Sequence, residues 1–278
     1  MAYVKLVITV PDDYQEALIA ELAEMEFEGF EQGDGYVAAY IEQKLLSDVY
    51  REQIEMLLMA YPGEGHVESE EVLEDQNWNE QWEASIQPQH IGTFFIKPTW
   101  STAGTPEDSI LLEIDPKMSF GTGYHETTRL MLHLIPEVIK PGAEVLDAGT
   151  GTGVLSIASI KCGASYALGY DIDEWSYNNA RENIYLNGTG ESIEILQGTD
   201  AVIPAGKQFD VVLANINRNI IIDQFEGWLN HIKPGGDLVL SGLMINDQES
   251  IERLAGNHHL TPYRITREAE WIAMWFKC

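Results

Sequence analysis

The chain has 278 residues, room for one large domain or two modest ones, and its 45% hydrophobic content supports a sizeable core and excludes global disorder. A formal net charge of −29 opposes the phosphate field of nucleic acid, so no direct nucleic-acid partner is expected and a cationic partner is favoured. Two cysteines, Cys162 and Cys278, form no CxxC and have no neighbouring histidines, so neither a disulfide framework nor a metal site is expected.

The first residues lack a basic n-region and a cleavage site, and no apolar run approaches the roughly 18 residues of a membrane span. A cytoplasmic protein with no membrane association is therefore expected. Val4, Leu6, Ile8 and Val10 alternate with their neighbours as in a strand. Pro11-Asp12-Asp13 opens a helix carrying Ala17, Leu18, Leu22 and Ala23 at helical spacing. Phe27–Gln32 and Tyr36–Ile41 flank Gly33-Asp34-Gly35, a hairpin signal. Leu45, Leu46, Val49, Tyr50, Ile54, Leu57 and Leu58 mark a second helix, and His66–Leu73 a last strand. The order β-α-β-β-α-β over residues 1–74 is the ferredoxin-like split unit. No catalytic residue type stands out there, so the unit reads as a recognition module or as a packing appendage.

Residues 75–90 read as a linker helix with Trp78 and Trp82 on one face, a connector docked by its aromatics. Residues 91–278 alternate strand and helix. Strands are expected at Ile91–Lys97 and Ile110–Ile114, and a helix at Thr127–Val138. Next come strand Glu144–Asp147, helix Val154–Cys162, strand Tyr166–Tyr170, helix Glu174–Asn187 and strand Ile193–Gln197. Strand Phe209–Ala214, helix Ile220–His231, strand Asp237–Ser241, helix Gln248–Leu254 and strand Glu270–Phe276 follow. This alternation predicts an α/β, doubly wound, mostly parallel sheet covered on both faces. Ligands of such sheets sit at the carboxyl ends of the strands, near the topological switch.

Four motifs fall at that edge. In Glu144-Val-Leu-Asp-Ala-Gly-Thr-Gly-Thr-Gly153, an apolar strand ends in Asp147 and opens into a turn at Gly149 and Gly151. Strand, Gly-rich turn and helix make a nucleotide cradle, unless the glycines serve only the connection. The dinucleotide fingerprint G-x-G-x-x-G needs a glycine where Val154 stands, so the pattern points to S-adenosylmethionine rather than to NAD. On that reading Asp147, Gly149 and Gly151 are cofactor-binding. In Tyr170-Asp-Ile-Asp173, Asp171 can accept hydrogen bonds from both ribose hydroxyls, while Asp173 suits the cap of the following helix. In Leu213-Ala-Asn-Ile-Asn217, the Asn215 amide oxygen can accept from an incoming amine and aim its lone pair; a turn role is the alternative, and Asn217 is left open between the two. In Asp115–Thr128, Phe120 offers an apolar wall, Gly121 and Gly123 a tight loop, and Thr127 and Thr128 a helix cap or ligand bonds. His125 is the one candidate base beside them.

F-G-T-G-Y-H-E-T-T, V-L-D-A-G-T-G-T-G-V-L-S-I-A, Y-D-I-D and A-N-I-N, in that order, resemble the PrmA family, methyltransferases acting on protein eleven of the large ribosomal subunit. The segment D-Q-N-W-N-E-Q-W looks like that family's linker. The resemblance implies a Rossmann-like class I S-adenosylmethionine methyltransferase domain preceded by a small α+β ferredoxin-like recognition domain. It implies cofactor contacts at Thr128, Gly149, Asp171 and Asn215, with Phe120, His125, Thr127 and Asn215 around the target amine. The implied partner is a basic ribosomal protein, the implied products are methylated lysine side chains or an N-terminal α-amine, and the chain is expected to act as a monomer. Tyr124 departs from the family pattern, and a bulky phenol there is expected to narrow the mouth or change the substrate. Another protein or a small amine as acceptor, a nicotinamide oxidoreductase and a non-catalytic binding protein remain as competing readings.

Overall fold

The computed structural model describes residues 3–61, 65–73, 86–117 and 119–278. The expected linker helix, with Trp78 and Trp82, lies outside the described residues. The chain divides into two compact units, Met1–Trp78 and Asn79–Cys278.

In the first unit, β1 (Tyr3–Thr9) is followed by a 3-10 turn (Asp12–Tyr14), α1 (Gln15–Glu24), β2 (Gly29–Gly33), β3 (Tyr36–Glu42), α2 (Asp48–Leu58) and β4 (His66–Leu73). The sheet order is β2-β3-β1-β4, the antiparallel ferredoxin-like arrangement. Burial alternates along β1, so Val4, Leu6 and Ile8 face a core filled by Leu18 and Leu22 of α1 and Ile54 and Leu58 of α2. Asp12 ties the hairpin to that core: its carboxylate accepts from Gly35 N at 2.8 Å and from Gln15 Nε2 at 2.9 Å, and Gln15 Nε2 also donates to Gly33 O.

The second unit opens with β5 (Gln89–Ile91), β6 (Phe94–Lys97) and β7 (Ile110–Glu113). The single strand expected over 91–97 is instead a hairpin, because Gly92, with φ of 56°, turns the chain back. These strands form their own three-stranded sheet, outside the doubly wound one. Then come α3 (Glu126–Val138), β8 (Glu144–Ala148), α4 (Val154–Lys161), β9 (Tyr166–Asp171), α5 (Glu174–Leu186) and β10 (Ile193–Gln197). The last elements are β11 (Phe209–Asn215), α6 (Arg218–Asn230), β12 (Ile232–Met244), α7 (Gln248–Asn257), β13 (Pro262–Glu268) and β14 (Trp271–Lys277). The seven-stranded sheet runs β10-β9-β8-β11-β12-β14-β13, parallel from β10 to β12, with β14 antiparallel to both of its neighbours.

Both faces of this sheet are covered, which is why its central strands are apolar throughout rather than alternating. Val145, Val211 and Leu213 pack into one core, while Leu146, Val212 and Ala214 pack into the other. Trp228 of α6 is fully buried on the second face and donates its indole N–H to Tyr170 Oη at 2.8 Å. The order of strands reverses between β8 and β11. A crevice at their carboxyl ends follows from that switch.

Candidate active site

The turn after β8 sits at the reversal. Gly149, Gly151 and Gly153 have φ of 69°, 55° and 80°, the left-handed region that favours glycine. The chain's own packing needs two of them as well. A Cβ on Gly149 would come within 2.4 Å of Ile216 Cγ2, and one on Gly151 within 2.3 Å of Phe120 O. The turn is held by Tyr170 O, which accepts from both Gly149 N at 2.9 Å and Thr150 N at 3.0 Å.

Around the turn lies a cavity of about 530 Å³. This is the size of a small-molecule site. Gly149 and Gly151 line it together with Asp171, Asn215, Phe120, His125 and Thr127. Seven of the candidate site residues, from four separate segments, therefore line one cavity, as does Asn217. Asp147 and Thr128 lie behind the cavity's lining. Asp147 is buried, and its Oδ2 accepts from Thr150 Oγ1 at 2.7 Å, Ser156 Oγ at 2.7 Å and Ser156 N at 3.1 Å. Burial holds its carboxyl above the ordinary range, against the pull of those donors. Its carboxylate secures the turn and the start of α4 instead of facing the cavity.

Asp171 uses part of its carboxylate locally: Oδ2 accepts from Gly151 N at 2.9 Å and Oδ1 from Asp173 N at 3.1 Å. A carboxylate has about four acceptor sites, so lone pairs remain for a ligand. Asp173 caps α5, accepting from Ser176 N at 2.8 Å. Asn217 likewise caps α6, accepting from Ile220 N at 3.2 Å, which is why that helix begins before its first apolar residue. Asn215 is different. It is buried at the end of β11, its Nδ2 reaches Thr128 Oγ1 at 3.4 Å, and its Oδ1 has no partner. A buried amide oxygen without a donor is costly, which marks this atom as a candidate acceptor for a bound group.

His125 is the cap of α3. Its Nδ1 accepts from Thr127 N at 3.3 Å and lies 2.9 Å from Thr127 Oγ1. Accepting a backbone N–H there takes a bare Nδ1, the tautomer with the ring proton on Nε2. The ring packs 5.2 Å from Phe120 and 4.7 Å from Trp271. Trp271 also lines the cavity, a place that its position in an apolar strand does not signal. It begins β14, opposite Met244 of β12 and Glu268 of β13. Arg129 of α3 pairs with Glu268 at 2.6 Å and also donates to Tyr124 O. Tyr124 does not line the cavity. Its hydroxyl donates to Gln87 O at 2.6 Å and accepts from Gln87 N, so the phenol pins the loop rather than narrowing the mouth.

Ile172, Thr199, Ile216, Ile220 and Gln224, like Asn217, are also among the lining residues. The sequence offers little signal for them beyond their position just past strand ends. Val154 begins α4 and is buried, with its Cγ1 against Gly121. Thr152 N donates to Phe120 O and Gly153 N to Thr150 O, so the start of this helix presents few free donors to a pyrophosphate.

The family model described as ribosomal protein L11 methyltransferase (PrmA) matches residues 6–278. A Bacteroides fragilis protein named ribosomal protein L11 methyltransferase is 35% identical over 268 residues, 94% of this chain and 93% of its own length. One of the same name from Chlorobaculum parvum is 32% identical over 275 residues, 98% of this chain and 95% of its own. Among solved structures, the ribosomal protein L11 methylase of Lactobacillus delbrueckii subsp. bulgaricus aligns with a TM-score of 0.64 and 28% identity, covering 69% of this chain and 98% of that one.

Proposed function

The chain belongs to the ribosomal protein L11 methyltransferase family, and from that membership we propose that it transfers methyl groups from S-adenosylmethionine to amines of ribosomal protein L11. The observation that carries the reading is that Asn215, whose buried Oδ1 has no partner, lines one cavity with the glycine turn and Asp171.

When bound, S-adenosylmethionine supplies a methyl group on a positively charged sulfur, an already activated donor. Asp171 would accept from the ribose hydroxyls, and Gly149 and Gly151 would keep the floor free of side chains. Asn215 Oδ1 would accept one N–H of the acceptor amine and so aim the nitrogen lone pair, work of positioning rather than of bond-making. Thr128 holds the Asn215 amide and so acts through it. Packing of the acceptor against the aromatic wall of Phe120, His125 and Trp271 would strip water from its amine, and it is that desolvation which disfavours the ammonium. A lysine with an ordinary pKa near 10.4 needs that help more than an α-amine at about 7.7–8.0. With Nδ1 of His125 engaged, the amine's proton goes to water rather than to a residue of the wall.

The acidic surface suits a basic ribosomal protein, and the ferredoxin-like unit is the natural recognition module for it. That substrate places the enzyme in the cytoplasm. Incubating the chain with methyl-labelled S-adenosylmethionine and total large-subunit proteins tests the reading. Label on L11 supports it, and label confined to another band redirects it to a different acceptor.

A further inference from the structure

The loop that carries the acceptor wall is bonded directly to the glycine turn. Thr152 N donates to Phe120 O at 2.9 Å, and Thr152 Oγ1 donates to Gly121 O at 2.8 Å. The fit is close from both sides: a Cβ on Gly151 would lie 2.3 Å from Phe120 O, and one on Gly121 2.6 Å from Thr152 Oγ1. Asn183, fully buried on α5, grips the same junction. Its Nδ2 donates to Thr152 O at 2.9 Å, and its Oδ1 accepts from Asp115 N at 2.9 Å, at the root of the loop.

We propose that Thr152, backed by Asn183, is a positioning residue that couples the cofactor turn to the acceptor loop, so that occupying the turn orders the Phe120–His125 wall. Thr152 itself does not line the cavity, so its effect on a ligand passes through these bonds. A shift of the turn cannot leave the loop behind without leaving the buried carbonyl of Gly121 unsatisfied. The two binding steps would then be linked, with the donor improving acceptor binding and, reciprocally, the acceptor improving donor binding.

The inference rests on the cofactor half of the function proposed above, and hydrogen exchange separates the two. S-adenosylhomocysteine is added to the full chain, to Thr152→Val, which keeps the shape and the backbone N–H but removes the hydroxyl, and to Thr152→Ser, which restores it. In the unaltered chain, amides of both 149–153 and 119–125 should slow on binding. In Thr152→Val the turn should remain protected while protection of 119–125 falls by about tenfold, and serine should recover most of it. Protection retained at both segments in the valine variant, lost at both together, or unrestored by serine overturns the coupling. No protection at 149–153 in the unaltered chain defeats the cofactor reading and the coupling with it.

Discussion

Asp171 Oδ2 accepts the backbone N–H of Gly151 at 2.9 Å, so the carboxylate proposed for the ribose is also a strut of the glycine turn. Asp171→Ala therefore loses a ligand contact and a turn contact together. Hydrogen bonds to a charged group contribute about 1.5–3 kcal/mol, so the affinity for S-adenosylmethionine should fall by roughly 10- to 100-fold. Calorimetric titration measures this directly, and an unchanged Kd would remove Asp171 from the cofactor site.

Asn215 should behave in the opposite way. Its free Oδ1 is proposed to meet the acceptor, so Asn215→Ala should lower kcat on the order of a hundredfold while the donor's Kd changes much less. Single-turnover methylation alongside donor titration separates the two effects. A variant that loses donor binding in step with turnover would make Asn215 a cofactor residue alone.

Asp147 yields a pH prediction. Burial raises its carboxyl above the ordinary range, so the folded state holds this proton more tightly than the unfolded chain does. The contribution to stability is then fully present below the unfolded carboxyl pKa and is lost as pH rises through the higher folded value. Asp147→Asn keeps an oxygen for the Thr150 and Ser156 donors and puts an amide where Oδ1 has no partner. Its Tm, followed from pH 4 to 8, should fall less with rising pH than that of the unaltered chain. A steeper fall would show that the ionised form is the one the turn requires.

The residues of the cavity are unevenly legible in the sequence. Asp171, Asn215, Gly149 and Gly151 are readable as cavity residues because each ends a strand or lies in the turn after one, and the strands themselves show as uninterrupted apolar runs. Asp147 shares that position, yet it bonds its own turn instead of lining the cavity. A strand-terminal acid looks alike whether it faces a ligand or its own loop, and only the positions of Thr150 and Ser156 decide between them. Strand β13 escaped because an edge strand rich in Tyr263, Arg264, Thr266 and Arg267 has no buried apolar face to mark it. Trp271 is not legible as a wall residue because its contact with His125 joins segments far apart in the chain, which no local pattern shows.

The ferredoxin-like unit has a core of its own, separate from those of the sheet that carries the cavity. Deleting residues 1–74 should leave the affinity for S-adenosylmethionine within about threefold and abolish methylation of intact L11. Retained methylation of L11 would assign recognition to the remainder of the chain.

Intact-mass spectrometry of purified L11, incubated with S-adenosylmethionine and this chain, tests the central claim most directly. L11 should gain mass in whole methyl increments, with the increments sharply reduced when Asn215→Ala replaces the unaltered enzyme. An L11 mass that never changes, although the chain demonstrably binds S-adenosylmethionine, would contradict the assignment.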